Sequence, residues 1–257
     1  MVTNINQLRL SIVQACLASG EGHIPSALSI LDILLVLYDK VLQFDPKNPT
    51  DPKRDRFVLS KGHGSLGLYA VLADKGFFPK KELESFGQFT SILGGHPDSL
   101  KVPGVEVSTG TLGHGFPTAL GMALAMRITK NKARVYTLIG DGESNEGTVW
   151  ESALLASHHK LDNLVCIVDH NHSTDRAVSV GDMKAKFTAF DWTAVTVNGH
   201  DQKEIYEALN TPHVGKPLAI VAETIKGFGS TMMTGNPAWH HKTPTKEEYA
   251  EMVREWQ

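Results

Sequence analysis

The chain has 257 residues, 41% of them hydrophobic and 21% charged, with a formal net charge of −3 at pH 7. These values are typical of a globular protein with a sizeable core, and the weak charge does not indicate a nucleic-acid-binding surface. No apolar stretch reaches the roughly 18 residues of a membrane span, and the first residues lack the pattern of a secretion signal. Because Cys16 and Cys166 lie in apolar runs, we expect free buried thiols in a cytoplasmic protein with no nucleic-acid or membrane partner.

Apolar periodicity predicts helices that alternate with short apolar strands along the chain. The predicted helices span residues 4–18, 27–42, 66–72, 82–86, 116–128, 149–156, 183–190, 202–209 and 246–256. The predicted strands span residues 56–60, 135–139, 164–168, 193–197 and 218–222. We predict that Ser26 caps the second helix and that Thr243 or Thr245 starts the last one. This alternation favours an α/β fold with three α/β/α layers and a mostly parallel central sheet.

The segment 140–150, with the sequence GDGESNEGTVW, follows one predicted strand and leads into a predicted helix. Glycines at such a joint let backbone N–H groups approach an anion at the start of a helix. The carboxylate of Asp141 would repel a bare phosphate, so its presence favours a divalent cation between the two groups.

A second oxygen ligand is expected where the next predicted strand ends, and Asn171 follows that strand. The two residues are separated by about the length of one βαβ unit, and ligands of open parallel sheets bind at the carboxyl ends of strands. Asp141, Asn171 and a backbone carbonyl just beyond it could fill part of an octahedral Mg²⁺ shell, completed by diphosphate oxygens and water. From these residues alone, a structural turn and a metal site remain equally open.

Several histidines lie beside glycine in loops, among them His23, His63 and His96. Glycine neighbours permit the close approach of a ligand, although each imidazole is also consistent with a purely structural role. The glycine-rich loop 108–115 opens the helix 116–128 just upstream of the segment 140–150, which favours phosphate binding. The segment 226–237 is flexible by composition and could cover a site.

Nine short motifs occur in the order in which transketolases carry them. They are GHIPSALSILDIL, RFVLSKGHGS, GGHPD, STGTLGHG, GDGESNEG, VDHN, NGHD, ETIKGFGS and WHHKTP. The chain therefore resembles the diphosphate-binding N-terminal domain of a transketolase encoded as a separate subunit, with residues 1–257 forming a single domain.

The resemblance implies thiamine diphosphate and Mg²⁺, or Ca²⁺ or Mn²⁺ in its place, as cofactors. It implies that the metal ligands are Asp141, Asn171 and the carbonyl of Ser173. The implied cofactor contacts are His63, Gly110, Thr111, Leu112, Asp141, Gly142, Asn171 and His240. The implied catalytic histidines around the reactive carbon and the donor ketose are His23, His96 and His240. Glu146 and Glu151 are implied to face a partner subunit.

Full-length family members continue with a pyrimidine-binding domain and a C-terminal domain. The resemblance implies that a partner chain supplies both, that two copies of each chain form a heterotetramer, and that this chain alone does not transfer a ketol unit. It also implies sugar or sugar phosphate substrates and a role in pentose phosphate metabolism. Three features depart from the family pattern: the HSTDRA segment after Asn171, His241, and Asp191. The first departure concerns Ser173, because it could shift the carbonyl ligand by one position.

Three alternatives remain open at this stage. The chain could be the alpha chain of a 2-oxoacid dehydrogenase or part of a synthase acting on pyruvate, but such chains are expected to lack the GHGS and GHIPS loops. It could act on an unusual ketose, such as a branched or sulfonated one. It could also bind metal and diphosphate without catalytic activity, although the set of histidines favours an enzyme.

Overall fold

A computed structural model describes residues 3–257, which fold around one sheet of five parallel strands. The strands are β1 (Arg56–Leu59), β2 (Val135–Gly140), β3 (Leu164–His170), β4 (Thr193–Asn198) and β5 (Leu218–Glu223). Their order across the sheet is β1-β2-β3-β5-β4, and every neighbouring pair is parallel. The predicted parallel sheet is confirmed, and each predicted strand agrees with an observed one within two residues at either end.

Helices cover both faces of this sheet. They are α1 (Ile5–Ser19), α2 (Ile24–Leu28), α3 (Leu31–Val36), α4 (Ser65–Lys75), α5 (Gly115–Ile128), α6 (Gly147–His158), α7 (Met183–Ala189), α8 (Gln202–Leu209) and α9 (Lys246–Trp256). A π-helical turn spans Leu37–Val41, and 3₁₀ turns span Gly62–Gly64, Lys80–Ser85, Gly142–Asn145 and Pro237–Trp239.

Alternate residues of the central strand β3 point into two separate cores. Val165 and Ile167 pack in the core formed with α1 to α4, whereas Cys166 and Val168 pack in the core formed with α5 to α7. Successive side chains of a strand point to opposite faces of the sheet, so a fully apolar strand is buried on both sides. This division confirms the predicted three-layer α/β/α arrangement.

The prediction of one continuous helix over residues 27–42 was wrong. A helix begins earlier, at Ile24, with Pro25 in its first turn, where a missing N–H costs little. Ser26 consequently lies inside α2 and does not cap it. The helical path is interrupted at Ser29, whose hydroxyl donates to the distant Asp169 over 2.9 Å and also contacts the backbone of Ser26.

Of the other local predictions, one helix was wrong and two helix starts were confirmed. The predicted helix 82–86 is a 3₁₀ turn instead, since its hydrogen bonds close over three residues. Asp201 caps α8 by accepting from two backbone N–H groups, as the preceding turn predicted. Thr245 starts α9 in a capping box with Glu248.

Two further predictions concern the core and the membrane. Cys16 and Cys166 are both buried free thiols, as predicted. Within residues 3–257, every helix is too short or too polar to cross a lipid bilayer.

Candidate active site

The carboxyl ends of β2 and β3 bring Asp141 and Asn171 to one point. The backbone N–H of Ser173 donates to Asp141 Oδ2 and to Asn171 Oδ1, over 3.1 Å in each case. The two oxygens share this donor, so they lie no more than about 6 Å apart. The sequence therefore predicted correctly that these side chains converge.

The environment of Asp141 suits a cation. Its side chain is almost completely buried, and burial raises the pKa of the carboxyl although the N–H of Gly142 donates to it. A buried carboxylate next to an amide oxygen is a donor set that Mg²⁺ or Ca²⁺ accepts. Asp141 and Asn171 thus fit a hard divalent ion. The contact seen for Ser173 is made by its N–H, so a role for its carbonyl as a ligand stays a prediction.

A buried ion pair orients Asn171. The Asn171 amide nitrogen donates to Asp169 Oδ2 over 2.8 Å, which turns its oxygen toward the Ser173 N–H that it shares with Asp141. The same carboxylate accepts from the ammonium of Lys61 and the hydroxyl of Thr224. Burial opposes ionisation of Asp169, but the Lys61 ammonium outweighs it and holds the pKa of this carboxyl below its usual value. Sequence reasoning missed both Lys61 and Asp169.

Two glycine-rich loops meet beside this ion pair. A Cβ at Gly62 would lie 2.9 Å from the backbone nitrogen of Gly110, so the close approach of the loops requires glycine there. Gly110 itself has a φ of +157°, and a Cβ at this position would lie 3.3 Å from the ring of His96. The buried carboxylate of Glu143 joins the second loop to β2 by accepting from the N–H groups of Gly113 and Gly140.

These elements enclose a cavity of about 390 Å³ at the carboxyl edge of the sheet, here called the histidine cavity. The predicted residues that line it are His23, His63, His96, Gly110, Leu112, Asp141, Gly142, Asn171, Ser173 and His240. Thr111 is exposed and does not line it, and Glu146 and Glu151 are exposed outside it. Lys61, Glu143 and Lys226 line it although the sequence analysis did not select them.

His23 lies at the centre of an imidazole cluster. Its ring centroid lies 5.6 Å from that of His63, 5.7 Å from that of His240 and 4.5 Å from that of His241. His241, a departure from the family pattern, is thereby placed directly beside the cavity.

Two imidazoles of the cluster, those of His23 and His63, are held in the neutral form. Burial, and then the neighbouring rings of His241 and His240, lower the pKa of His23 to about 4. Burial, and then the Lys61 ammonium, place the pKa of His63 far below its usual value. Such groups are uncharged at pH 7 and can both accept and donate protons.

Two lysines provide the positive charge of the cavity. Lys226 Nζ lies 2.8 Å from His240 Nδ1, and Lys61 also lines the cavity. Burial, and then Lys61, lower the pKa of Lys226 to about 8, while burial and Lys226 lower the pKa of His240. Both lysines precede glycine shortly after a strand, in SKGHG and TIKGFG. That shared position was the signal that could have identified them.

Of the segment 226–237, Lys226 lines the histidine cavity, and the suggestion that the segment covers a site stays a prediction. Lys226 lies at its start, and His240 lies three residues after its end. The backbone N–H of Gly227 donates to the carbonyl of Pro25, which fixes the start of the segment beside α2.

Comparison with known proteins shows which family the chain belongs to. The family model described as the thiamine diphosphate binding domain of transketolase matches residues 2–257. The chain is 40% identical over 254 residues to an apulose-4-phosphate transketolase subunit from Phocaeicola vulgatus, covering 96% of this chain and 90% of that protein. It is 39% identical over 243 residues to the 6-deoxy-6-sulfo-D-fructose transketolase subunit SqwG from a Clostridium species, covering 92% of this chain and 88% of that protein.

Solved structures agree with the sequence relatives. A transketolase variant from Pichia stipitis superimposes with a TM-score of 0.92 at 32% identity. The match covers 98% of this chain but only 40% of that transketolase, so this chain spans less than half of its length. The chain belongs to the transketolase family and corresponds to its thiamine diphosphate-binding domain.

Proposed function

We propose that this chain is the N-terminal subunit of a two-component transketolase. The enzyme would transfer a two-carbon ketol unit from a ketose, or a ketose phosphate, to an aldose in the carbohydrate metabolism of the cytoplasm. Residues 1–257 would act as one cofactor-binding domain. The observation that carries this proposal is the convergence of Asp141 and Asn171 at the edge of a cavity lined by four histidines and two lysines.

The chain would hold the diphosphate of the cofactor through a divalent ion and through direct contacts. Asp141 and Asn171 supply oxygen ligands, with Mg²⁺ preferred over Ca²⁺ or Mn²⁺, and the Ser173 carbonyl is proposed as the third ligand. Lys61 and Lys226 supply positive charge toward the remaining phosphate oxygens. The N–H groups of the glycine-rich loops would add hydrogen bonds to the phosphates. Leu112 and Thr111, from the same loop as Gly110, would complete the contacts.

Thiamine diphosphate, when bound, supplies the chemistry that breaks and forms carbon–carbon bonds. The protein's part is to position the sugar and to move protons at its hydroxyl oxygens. His23 and His63 can act at these oxygens because a neutral imidazole offers one donor and one acceptor nitrogen. His96, which lines the same cavity, is proposed to act beside them. An imidazole that faces an ammonium accepts at the nearer nitrogen, so His240 would hold its proton on Nε2 and offer it to substrate.

A partner chain would complete the enzyme. The P. vulgatus relative, which is matched over 90% of its length, is named as one subunit of its transketolase, whereas the P. stipitis transketolase continues well beyond the matched part. Glu146 and Glu151, at the start of α6, are exposed and free to meet a partner. Leu154 is 60% exposed on the same helix, and Ile128 is 72% exposed at the end of α5. An assembly of two copies of each chain is proposed.

The substrate is proposed to be a ketose with an anionic group at its far end. The two named relatives act on apulose 4-phosphate and on 6-deoxy-6-sulfo-D-fructose, which carry a phosphate and a sulfonate respectively. Their shared chemistry is a ketose that ends in a strong anion. Donor sugars of both types should therefore be compared.

The test is reconstitution with the partner chain. Release of an aldose from the donor should require both chains, thiamine diphosphate and Mg²⁺. Asp141→Ala should abolish Mg²⁺-dependent cofactor retention in the mixture, while Glu207→Ala, which removes an exposed carboxylate of α8, should not. Cofactor affinity that is equal in the Asp141→Ala variant and the parent protein would remove Asp141 from the metal site. Full activity of the isolated chain would contradict the two-component proposal.

A further inference from the structure

A second cluster of metal-ligating side chains lies at the carboxyl ends of β3 and β5. His170 ends β3, Glu223 ends β5, and the two residues are direct partners in the parallel register. His172 follows with a φ of 58°, an uncommon value for a residue other than glycine. None of these three residues lines the histidine cavity, so the proposed transketolase chemistry does not use them.

The carboxylate of Glu223 bridges the two imidazoles. His170 Nδ1 lies 2.8 Å from Oε1, and His172 Nε2 lies 2.8 Å from Oε2. One ligand atom from each of the three residues lies within 4.8 Å of the other two. The remaining ring nitrogen of His172, Nδ1, lies 3.0 Å from Asp175 Oδ2.

This arrangement is close to that of a metal-bound set. Ligand atoms held about 2.1 Å from one tetrahedral ion are about 3.4 Å apart. The bridged pairs would therefore open by about 0.6 Å. The two imidazole nitrogens, which lie within 4.8 Å of one another, would also come to about 3.4 Å apart, through rotations of the side chains. His172 and Glu223 can make them because these side chains are 52% and 42% exposed. Asp175 occupies the place of the carboxylate that commonly accepts the second N–H of a metal-bound imidazole.

We propose that His170, His172 and Glu223 form a second metal site, for a transition-metal ion such as Zn²⁺. Two imidazoles and a carboxylate suit zinc, whereas Mg²⁺ takes oxygen ligands and suits Asp141 and Asn171. His172 and Glu223 also line a surface cleft of about 700 Å³, which leaves room for a fourth ligand.

A metal ion at this second site would also affect Asn171 of the proposed Mg²⁺ site. His170 and His172 flank Asn171 in the sequence, so an ion bound to both would link the loop around Asn171 to β5. Linking the loop would hold Asn171 beside Asp141. This consequence rests on the proposed function, whereas the site itself does not.

The site can be tested without thiamine diphosphate. Zn²⁺ is titrated into the metal-free chain against a chromophoric zinc chelator, with Mg²⁺ in excess to occupy the oxygen ligands. One ion per chain should bind, His172→Ala should abolish that binding, and Asp175→Ala should weaken it by about 10- to 100-fold. Co²⁺ in place of Zn²⁺ should give the visible absorption of a tetrahedral site, absent in His172→Ala. The test avoids substituting His170, which is buried, because that variant could fail to fold.

Two controls decide where the ion binds. His158 and His159 form another imidazole pair, with ring centroids 5.0 Å apart, so His158→Ala removes an alternative chelator and should leave the zinc affinity unchanged. Asp141→Asn should also leave it unchanged. The proposal is overturned if His172→Ala binds zinc as tightly as the parent protein, or if His158→Ala or Asp141→Asn loses the ion. Because the cofactor is absent from this titration, its failure would leave the transketolase proposal standing.

Discussion

The Lys61–Asp169 ion pair is predicted to stabilise the domain and to position Asn171. The lysine side chain is 1% exposed and the aspartate side chain is fully buried. Asp169→Asn keeps the size and shape of the side chain but removes its negative charge. The ammonium of Lys61 would then remain buried without a counter-ion.

The size of the destabilisation expected for Asp169→Asn follows from this burial. Removal of one partner from a buried ion pair costs about 3–5 kcal/mol, because the remaining charge stays desolvated. Domains are stable by about 5–15 kcal/mol, so Asp169→Asn should lose roughly a fifth or more of the free energy of unfolding. At about 2–4 °C per kcal/mol for a domain of this size, the melting temperature should fall by roughly 10 °C.

A double-mutant cycle with Lys61→Met measures the coupling. The methionine removes the charge that Asp169→Asn leaves unpaired, so the double variant should be more stable than the sum of the two single effects predicts. Urea unfolding of the four proteins, followed by tryptophan fluorescence, gives the four free energies. A cost below about 1 kcal/mol for Asp169→Asn, or strictly additive effects, would refute the reasoning.

Three further predictions concern the cavity. The pKa of His23 is about 4 in the folded chain and 6.5 in the unfolded chain, so the unfolded chain binds a proton that the folded chain does not. The free energy of unfolding should therefore fall as the pH drops from about 6.5 to about 4, and it should fall less steeply in His23→Gln. Histidine NMR should show a neutral His23 ring at pH 5.5. Gly110→Ala should destabilise the chain by about 1–3 kcal/mol in urea unfolding, because the φ of +157° at Gly110 disfavours a side chain. Gly121→Ala is the control and should not destabilise the chain, since no atom lies within 4 Å of the added Cβ. Lys226→Met should raise the pKa of His240 in the same NMR titration, because it removes a nearby positive charge.

Each of these predictions has a contrary outcome. An ordinary titration of His23 near pH 6.5 would show that its ring is solvated. Equal stability of Gly110→Ala and Gly121→Ala would show that the loop tolerates a side chain at either position. An unchanged pKa of His240 in Lys226→Met would show that the two groups do not interact in solution.

The strands were predictable because buried parallel strands appear in a sequence as short, uninterrupted apolar runs. The long helix over residues 27–42 was mispredicted for a reason outside the segment. Its break at Ser29 accompanies a hydrogen bond to Asp169, 140 residues further along the chain. No local pattern reveals that partner.

The sequence by itself determined where strands end and glycine turns begin, and therefore that Asp141 and Asn171 lie at the same edge of a parallel sheet. This inference needs only local conformational preferences and the direction of the strands. The tertiary structure alone decided which distant side chains share the cavity. Lys61 meets Asp169 across 108 residues of sequence, and the ring of His241 packs beside that of His23. Contacts of this kind depend on how helices pack on the sheet, because burial and charge are set by neighbours in space rather than along the chain.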